Sequence, residues 1–188
     1  RDPVAFTPRT TRGMSSRDAI LQSVRKHLPE SSPLPPLDGP WITYPDPVAQ
    51  FAAVLQMIGG TCVRVPDHAA LQRELDRLPV YAESTKTLSR IPGVATTNVE
   101  LDAVTDPHDL EDIDFAILPG EFAVAENAAV WVTDRGLKHR VVYFLCQHLA
   151  LVVPTAAVLH NLGEAYQRIA FHEPGFGAFI AGPSKTAD

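Results

Sequence analysis

The sequence has few cysteines and no apolar run long enough to cross a bilayer. Its two cysteines, Cys62 and Cys146, stand far apart, and neither belongs to a C-x-x-C pair. Two separate thiols cannot supply the four thiolates of a typical iron–sulfur cluster, which argues against such a site on this chain. A membrane-spanning helix needs roughly 20 apolar residues, and no signal peptide pattern is present. We therefore expect a soluble, cytoplasmic protein with no membrane span.

Clusters of basic residues are also lacking. The chain has 16 Lys and Arg against 22 Asp and Glu, which gives a formal net charge of −6. No stretch of the sequence concentrates the positive charge. Because nucleic-acid binding depends on a basic patch that neutralises phosphates, we expect no nucleic-acid partner.

Common cofactor and nucleophile motifs are absent as well. There is no G-x-G-x-x-G dinucleotide fingerprint and no G-x-S-x-G elbow. Residues 177–186 superficially resemble a P-loop, but Pro183 stands where that motif needs Lys. The histidines His139, His160 and His172 lack the spacing of a metal site. The sequence therefore predicts no bound metal and no cofactor.

The composition is that of an ordinary globular protein, with 188 residues, 45% of them hydrophobic and 20% charged. Residues 1–13 are polar and without periodicity, which indicates an upstream extension. Residues 14–47 are expected to form an N-terminal helix and a proline-rich linker. Residues 48–188 are expected to form an α/β domain that is incomplete at its C-terminal end.

Capping residues predict where the helices begin. The first helix is expected to end at Pro29, the second at Gly59-Gly60 and the third at Pro79, because glycine and proline stop helices. The last is expected to continue through Ile169. The four predicted N-caps are Ser15, Asp46, Asp67 and Asn161.

Short apolar runs predict strands between and after these helices. The alternation of helices and strands favours a parallel sheet covered by helices. Residues 83–112 show little pattern and are expected to form loops with short elements. The predicted strands are 61–65, a short one beginning at 80–82, 114–118, 122–125, 129–132, 149–153 and a final strand within 175–181.

Glu126 and Asn127 interrupt two apolar strands. A carboxylate between such strands is costly unless it is paired or binds a ligand, so Glu126 is a candidate general base or ligand-binding group. The alternative is an exposed glutamate in a turn. His148 opens a buried strand and is a second catalytic candidate, although a histidine there is more often a satisfied structural residue.

Polar residues also follow the last predicted strand. Ligands of α/β proteins usually bind where strands end, and Lys185 with neighbouring hydroxyl and backbone N–H groups could hold an anion. The alternative is that the hydroxyls cap a following helix and Lys185 is solvated. We expect Glu126 and Lys185 to approach each other in one crevice. The candidate ligand-binding residues are Asn127, Ser184, Lys185, Thr186 and Asp188.

Three segments taken together, 122–128, 148–153 and 182–188, resemble the LUD domain family. The segment Gly-Pro-Ser-Lys-Thr-Ala-Asp at 182–188 is the most specific of them. The resemblance implies a three-layer α/β/α sandwich similar to the NagB/RpiA/CoA-transferase-like fold. The sequence departs from the family pattern at Asn127-Ala128, where Thr-Gly is commoner, and it lacks the Ile-Glu and Gly-x-His-Gly segments that follow the final Asp in the family.

The resemblance also implies a function. It points to an accessory subunit of a three-protein system that oxidises L-lactate to pyruvate, with the iron–sulfur clusters on the two partner proteins. It does not say whether this subunit is an enzyme. Two alternatives stay open, a stand-alone enzyme or binder of a small carboxylate or phosphate ligand, and an interaction scaffold that uses the N-terminal helix and linker.

Overall fold

The computed structural model describes residues 15–29, 33, 39–170 and 175–183. The chain divides into two compact units, Arg1–Asp38 and Gly39–Asp188. Among the described residues, no helix is long and apolar enough to cross a membrane.

The described part of the first unit contains one helix, α1 (Ser16–Lys26). As predicted, Ser15 caps it, because the Ser15 side chain accepts a hydrogen bond from the Asp18 N–H group. The helix ends before Pro29, with His27 as its C-cap. None of its side chains is buried. Most of the predicted linker lies outside the described residues, and residues 39–47 belong to the second unit.

Three helices of the second unit begin at the predicted caps Asp46, Asp67 and Asn161. Asp46 accepts hydrogen bonds from Val48 and Ala49 N–H groups, and Asp67 accepts one from Ala70. These side chains satisfy amide groups that have no partner inside a helix. The helices are α2 (Pro47–Met57), α3 (His68–Asp76), α4 (Pro79–Ala82), α5 (Val142–Leu145) and α6 (Leu162–Arg168).

Seven strands form two sheets in the described residues. The first sheet has the order β1-β2-β5 and is entirely parallel. The second has the order β6-β3-β4-β7, in which β3 and β6 are parallel and the other two pairs antiparallel. The strands are β1 (Thr87–Ser89), β2 (Phe115–Pro119), β3 (Phe122–Val124), β4 (Ala129–Thr133), β5 (His148–Val152), β6 (Val158–Leu159) and β7 (Gly177–Ile180).

Two segments of chain run through both sheets. β3 follows β2 after two residues, β6 follows β5 after a short 3-10 turn, and the two segments stay parallel throughout. Between the sheets, the Gly120 N–H group donates to the Val152 carbonyl at 2.9 Å. A Cβ atom at Gly120 would collide with the Val130 side chain, so this position between the two sheets requires glycine. Because β3 and β6 are parallel, their carboxyl ends lie at the same edge of the second sheet.

Helices cover both faces of the parallel sheet. Alternate β2 residues point to opposite sides, as the strand period requires. Ala116 and Leu118 pack in a cluster with Phe51 of α2 and Val142 of α5. On the other side, a second cluster joins Phe115 and Ile117 of β2 with Leu75 of α3. The mixed α/β architecture is consistent with the predicted three-layer sandwich.

Two predicted strands are wrong. Residues 61–65 form no strand, and residues 80–82 belong to helix α4. The β-branched content of 61–65 favours a strand, but no neighbouring strand pairs with it, and propensity alone does not make a sheet. Pro79 opens a helix instead of only closing one, because proline fits the first helical turn. The parallel sheet is built from later segments than the predicted alternation indicated.

Candidate functional site

The carboxyl ends of the parallel strands β3 and β6 bring two loops together. The turn after β3 contains Glu126 and Asn127, and the residues after β6 lead into α6. Main-chain hydrogen bonds extend the pairing past the strands: Ala125 N–H donates to the Leu159 carbonyl at 2.8 Å, and Glu126 N–H to the His160 carbonyl at 3.2 Å. We call this place the β3/β6 edge. In α/β proteins such edges are common ligand-binding positions.

Glu126 is exposed and contacts the first residue of α6. Its Oε2 atom accepts a hydrogen bond from the Leu162 N–H group at 3.0 Å. This bond satisfies one of the free amide groups at the start of the helix. The exposed carboxylate therefore does not bear the cost of burial that its place between two apolar strands suggested. Its hydrogen bond connects the β3–β4 turn to α6.

Asn127 shapes the turn. Its side-chain oxygen accepts a hydrogen bond from the Ala129 N–H group at 3.1 Å, and the next residue, Ala128, has a φ angle of 55°. Glycine adopts that left-handed conformation more easily than alanine does. Ala128 therefore holds a left-handed conformation with a Cβ atom that glycine would lack.

The start of α6 carries a buried polar side chain. Asn161 is only 2% exposed. Its Oδ1 atom accepts from the Glu164 N–H group at 2.9 Å, and its Nδ2 atom donates to the Ile42 carbonyl at 2.9 Å. Glu164 in turn accepts a hydrogen bond from the His160 N–H group at 2.9 Å. Asn161 begins the helix as predicted, and it also holds a distant segment of the chain.

That segment, residues 41–44, lies beside the β3/β6 edge. The Tyr44 N–H group donates to His160 Nδ1 at 3.0 Å, and the two rings stack with centroids 6.5 Å apart. Trp41 packs on Gly163, where an added Cβ atom would stand 3.1 Å from its indole nitrogen. The sequence analysis assigned Tyr44 and His160 no role here. These two residues are 116 positions apart, so no local pattern signals their contact.

Strand β7 ends close to this edge. Its last residue, Ile180, pairs with Val130, near the start of β4 and the β3–β4 turn. Gly182 follows with a φ angle of 65°, beside Ile58 at the end of α2. The predicted ligand-binding residues Ser184, Lys185, Thr186 and Asp188 lie outside the described residues. An approach of Lys185 to Glu126 stays a prediction.

His148 lies in the first sheet, at the start of β5, and not at the β3/β6 edge of the second sheet. It is the first residue of β5, it pairs with Phe115 at the start of β2, and its ring stacks on that phenylalanine at 5.9 Å. His148 is exposed, and its N–H group donates to the Asp114 carbonyl. The structure thus separates His148 from Glu126. The histidine is the first residue of its strand, whereas the glutamate follows the end of β3.

The charges at the β3/β6 edge are negative. Glu126 and Glu164 are the ionised side chains that contact this edge in the hydrogen bonds described above. An anionic ligand would need a cation beside them. Within the described ranges, no group of three His, Cys, Asp or Glu side chains could hold a metal ion.

The two thiols lie away from these contacts and are half-buried. Burial raises the pKa of Cys62, and it raises the pKa of Cys146 to about 11. Desolvation disfavours the thiolate, so both groups stay protonated at neutral pH.

Comparison with known proteins gives one match. Residues 105–188 match the family model described as the LUD domain. The matched region begins shortly before β2 and includes β2 to β7 together with the β3/β6 edge. The comparisons with curated proteins and with solved structures gave no match.

Proposed function

We propose, from the match of residues 105–188 to the LUD domain model, that the chain serves lactate utilisation. LUD domains occur in lactate utilisation proteins, so a lactate-related role fits the family. More specifically, we propose an accessory subunit of the protein C type within a three-protein system that oxidises L-lactate to pyruvate. The match over β2 to β7 is the observation that carries this proposal.

In this proposal, the redox chemistry belongs to the two partner proteins. A typical cluster takes four thiolates, whereas this chain has two cysteines whose pKa values are raised. The partners would hold the iron–sulfur clusters. The contribution of this chain would be to bind a partner or a small carboxylate through the LUD region, in the cytoplasm.

Deletion of the gene tests the proposed function. We expect the deletion strain to lose growth on L-lactate as sole carbon source and to keep growth on pyruvate. Re-expression of the intact gene should restore growth. Normal growth of the deletion strain on L-lactate would contradict the proposal.

A second candidate function is favoured by the contacts at the β3/β6 edge. Glu126 keeps its Oε1 atom free of the Leu162 contact, Asn127 lies beside it, and Trp41 and Tyr44 stand nearby. Such a group of polar and aromatic side chains could orient a small carboxylate or phosphate ligand. We propose that Lys185, with Ser184, Thr186 and Asp188, supplies the remaining contacts, since the edge itself is negative.

Thermal shift measurements test this second candidate. L-lactate, pyruvate and a sugar phosphate should each be tried, because a ligand that binds only the folded state raises the melting temperature. We expect stabilisation by at least one anion, and loss of that effect in Lys185→Ala. An equal shift in Lys185→Ala would contradict the role of Lys185, and no shift with any anion would contradict the binding function.

The third candidate, an interaction scaffold, rests on α1. The apolar stripe of this helix is exposed, with Ile20 at 64%, Val24 at 54% and Leu28 at 63%. An isolated helix of 11 residues is marginally stable in water, so a docked state would stabilise it. Molar mass measured with and without residues 1–38, which leaves the second unit intact, tests this idea. An unchanged oligomeric state would exclude α1 as the contact between copies.

A further inference from the structure

The contact between residues 41–44 and His160 depends on one nitrogen atom of the imidazole. The Tyr44 N–H group donates to His160 Nδ1 at 3.0 Å. A main-chain N–H group is always a donor, so Nδ1 must be an acceptor and carry no proton. The proton of the neutral ring is therefore on Nε2.

Protonation of the ring would reverse this contact. An imidazolium ion has N–H groups at both nitrogens and accepts no hydrogen bond. The Tyr44 N–H group would then face another N–H group, and the hydrogen bond would be lost. Histidine is the side chain that ordinarily changes charge between pH 5 and 8.

Acidic residues contact the main chain of His160. Glu164 of α6 contacts the main chain of His160 at 2.9 Å, and Glu126 contacts it through its own main-chain N–H group. Asp46 lies two residues after Tyr44. Helix α2 and strand β6, which pack nearby, contain no charged residue.

A second attachment of the same segment does not titrate. The Ile42 carbonyl accepts from the Asn161 side-chain amide, which has the same charge at every pH in this range. Acid would thus free the segment at Tyr44 while Ile42 stays attached. The change is local, at the point where the segment leads into α2.

We propose that His160 is an acid-sensitive latch, which holds residues 41–44 against the β3/β6 edge only while its imidazole is neutral. Opening of the latch exposes the main chain of Tyr44 beside Glu126 and the start of α6. The latch is a property of the fold, so the proposal does not depend on whether the β3/β6 edge binds a ligand.

Amide hydrogen exchange of Tyr44 in the full chain tests the latch. Protection factors, which correct for the intrinsic effect of pH on exchange, should be measured between pH 8 and pH 5. We expect that of Tyr44 to fall roughly threefold to tenfold in acid, the effect of one lost hydrogen bond. The Ala125 amide, which donates to the Leu159 carbonyl, should keep its protection factor and serves as the internal control.

Two variants decide the role of the imidazole. In His160→Asn, the carboxamide oxygen can accept from Tyr44 and does not titrate, so the Tyr44 protection factor should stay high at both pH values. In His160→Ala it should be low at both. A pH-dependent fall that persists in His160→Asn, or an absence of any fall in the parent chain, would overturn the proposal. Unchanged protection in His160→Ala would do the same.

Discussion

At the scale of single residues, polar side chains decide where segments of the second unit attach. Asn161 caps α6 and at the same time binds the Ile42 carbonyl, and the side chain that makes both bonds is only 2% exposed. Asp46 caps α2 in the same way but lies exposed. The sequence predicted both caps, because capping is a local pattern. It gave no sign of the second bond of Asn161, which depends on the tertiary fold.

Replacement of Asn161 by alanine should destabilise the protein by about 1–3 kcal/mol. The variant loses the cap of α6 and leaves buried groups without a partner. The free energy of unfolding in urea measures the effect. Asp46→Ala is the matched control and should cost about 1 kcal/mol, since water can reach its site. Equal effects of the two substitutions would show that the contact with Ile42 adds nothing.

Ala95 has a φ angle of 61°, which is unfavourable for any residue with a side chain. The variant Ala95→Gly should therefore raise the free energy of unfolding by about 0.5–1 kcal/mol. Ala53→Gly, at an exposed position inside α2, should lower it by about 1 kcal/mol. Urea unfolding of both variants is the measurement. A loss of stability in Ala95→Gly would mean that its φ angle is not strained.

Cys146 should react slowly with thiol reagents. Its pKa of about 11, against 9.0 for a free cysteine, lowers the thiolate fraction at pH 8 about a hundredfold. Labelling of Cys62→Ser with a disulfide reagent isolates this thiol. We expect a rate at least tens of times slower in the folded chain than in urea, and a rise in rate with pH up to about 11. Fast labelling of the folded chain at pH 8 would contradict the desolvation of Cys146.

At the scale of elements, the sequence predicted helices better than strands. A helix is a local structure, and its caps at Ser15, Asp46 and Asp67 are visible in the chain. A strand needs a neighbouring strand to pair with, which explains why the predicted strand at 61–65 was wrong although its residues favour an extended backbone. The predicted strands 114–118 and 149–153 are confirmed to within one residue as 115–119 and 148–152, because both are largely apolar runs within the parallel sheet.

Strand β7 depends on the absence of a side chain at Gly177. A Cβ atom there would collide with the ring of Trp131 on the adjacent strand β4, where the indole also packs against Phe179. Gly177→Ala should therefore destabilise the protein by about 1–3 kcal/mol, the usual cost of overpacking. Loss of stability in urea, followed by the fluorescence of Trp131, measures it.

Gly39 provides the control for that substitution. A Cβ atom added at Gly39 meets nothing within 4 Å, so Gly39→Ala should leave the free energy of unfolding nearly unchanged. If Gly177→Ala were as stable as Gly39→Ala, strand β7 would not lie against Trp131 as described.

At the scale of the whole molecule, parallel pairing determines which candidate residues meet. Glu126 and Asn127 follow β3 and so join the residues that follow β6, whereas His148 is the first residue of β5 in the other sheet. The sequence identified both candidates by their polar chemistry. It could not separate them, because the register of β2 with β5 is a long-range property. The match of residues 105–188 to the LUD domain includes both the β3/β6 edge and the start of β5, so it does not choose between them either.

Growth on L-lactate of a deletion strain that carries variant genes tests the central claim most directly, namely that the β3/β6 edge serves lactate utilisation. Glu126→Ala should fail to restore growth, while His148→Asn should restore it, with both proteins present at parental levels and equally folded by circular dichroism. These two variants separate the β3/β6 edge of the second sheet from the start of β5 in the first. Normal growth with Glu126→Ala, or failure of His148→Asn, would contradict the account.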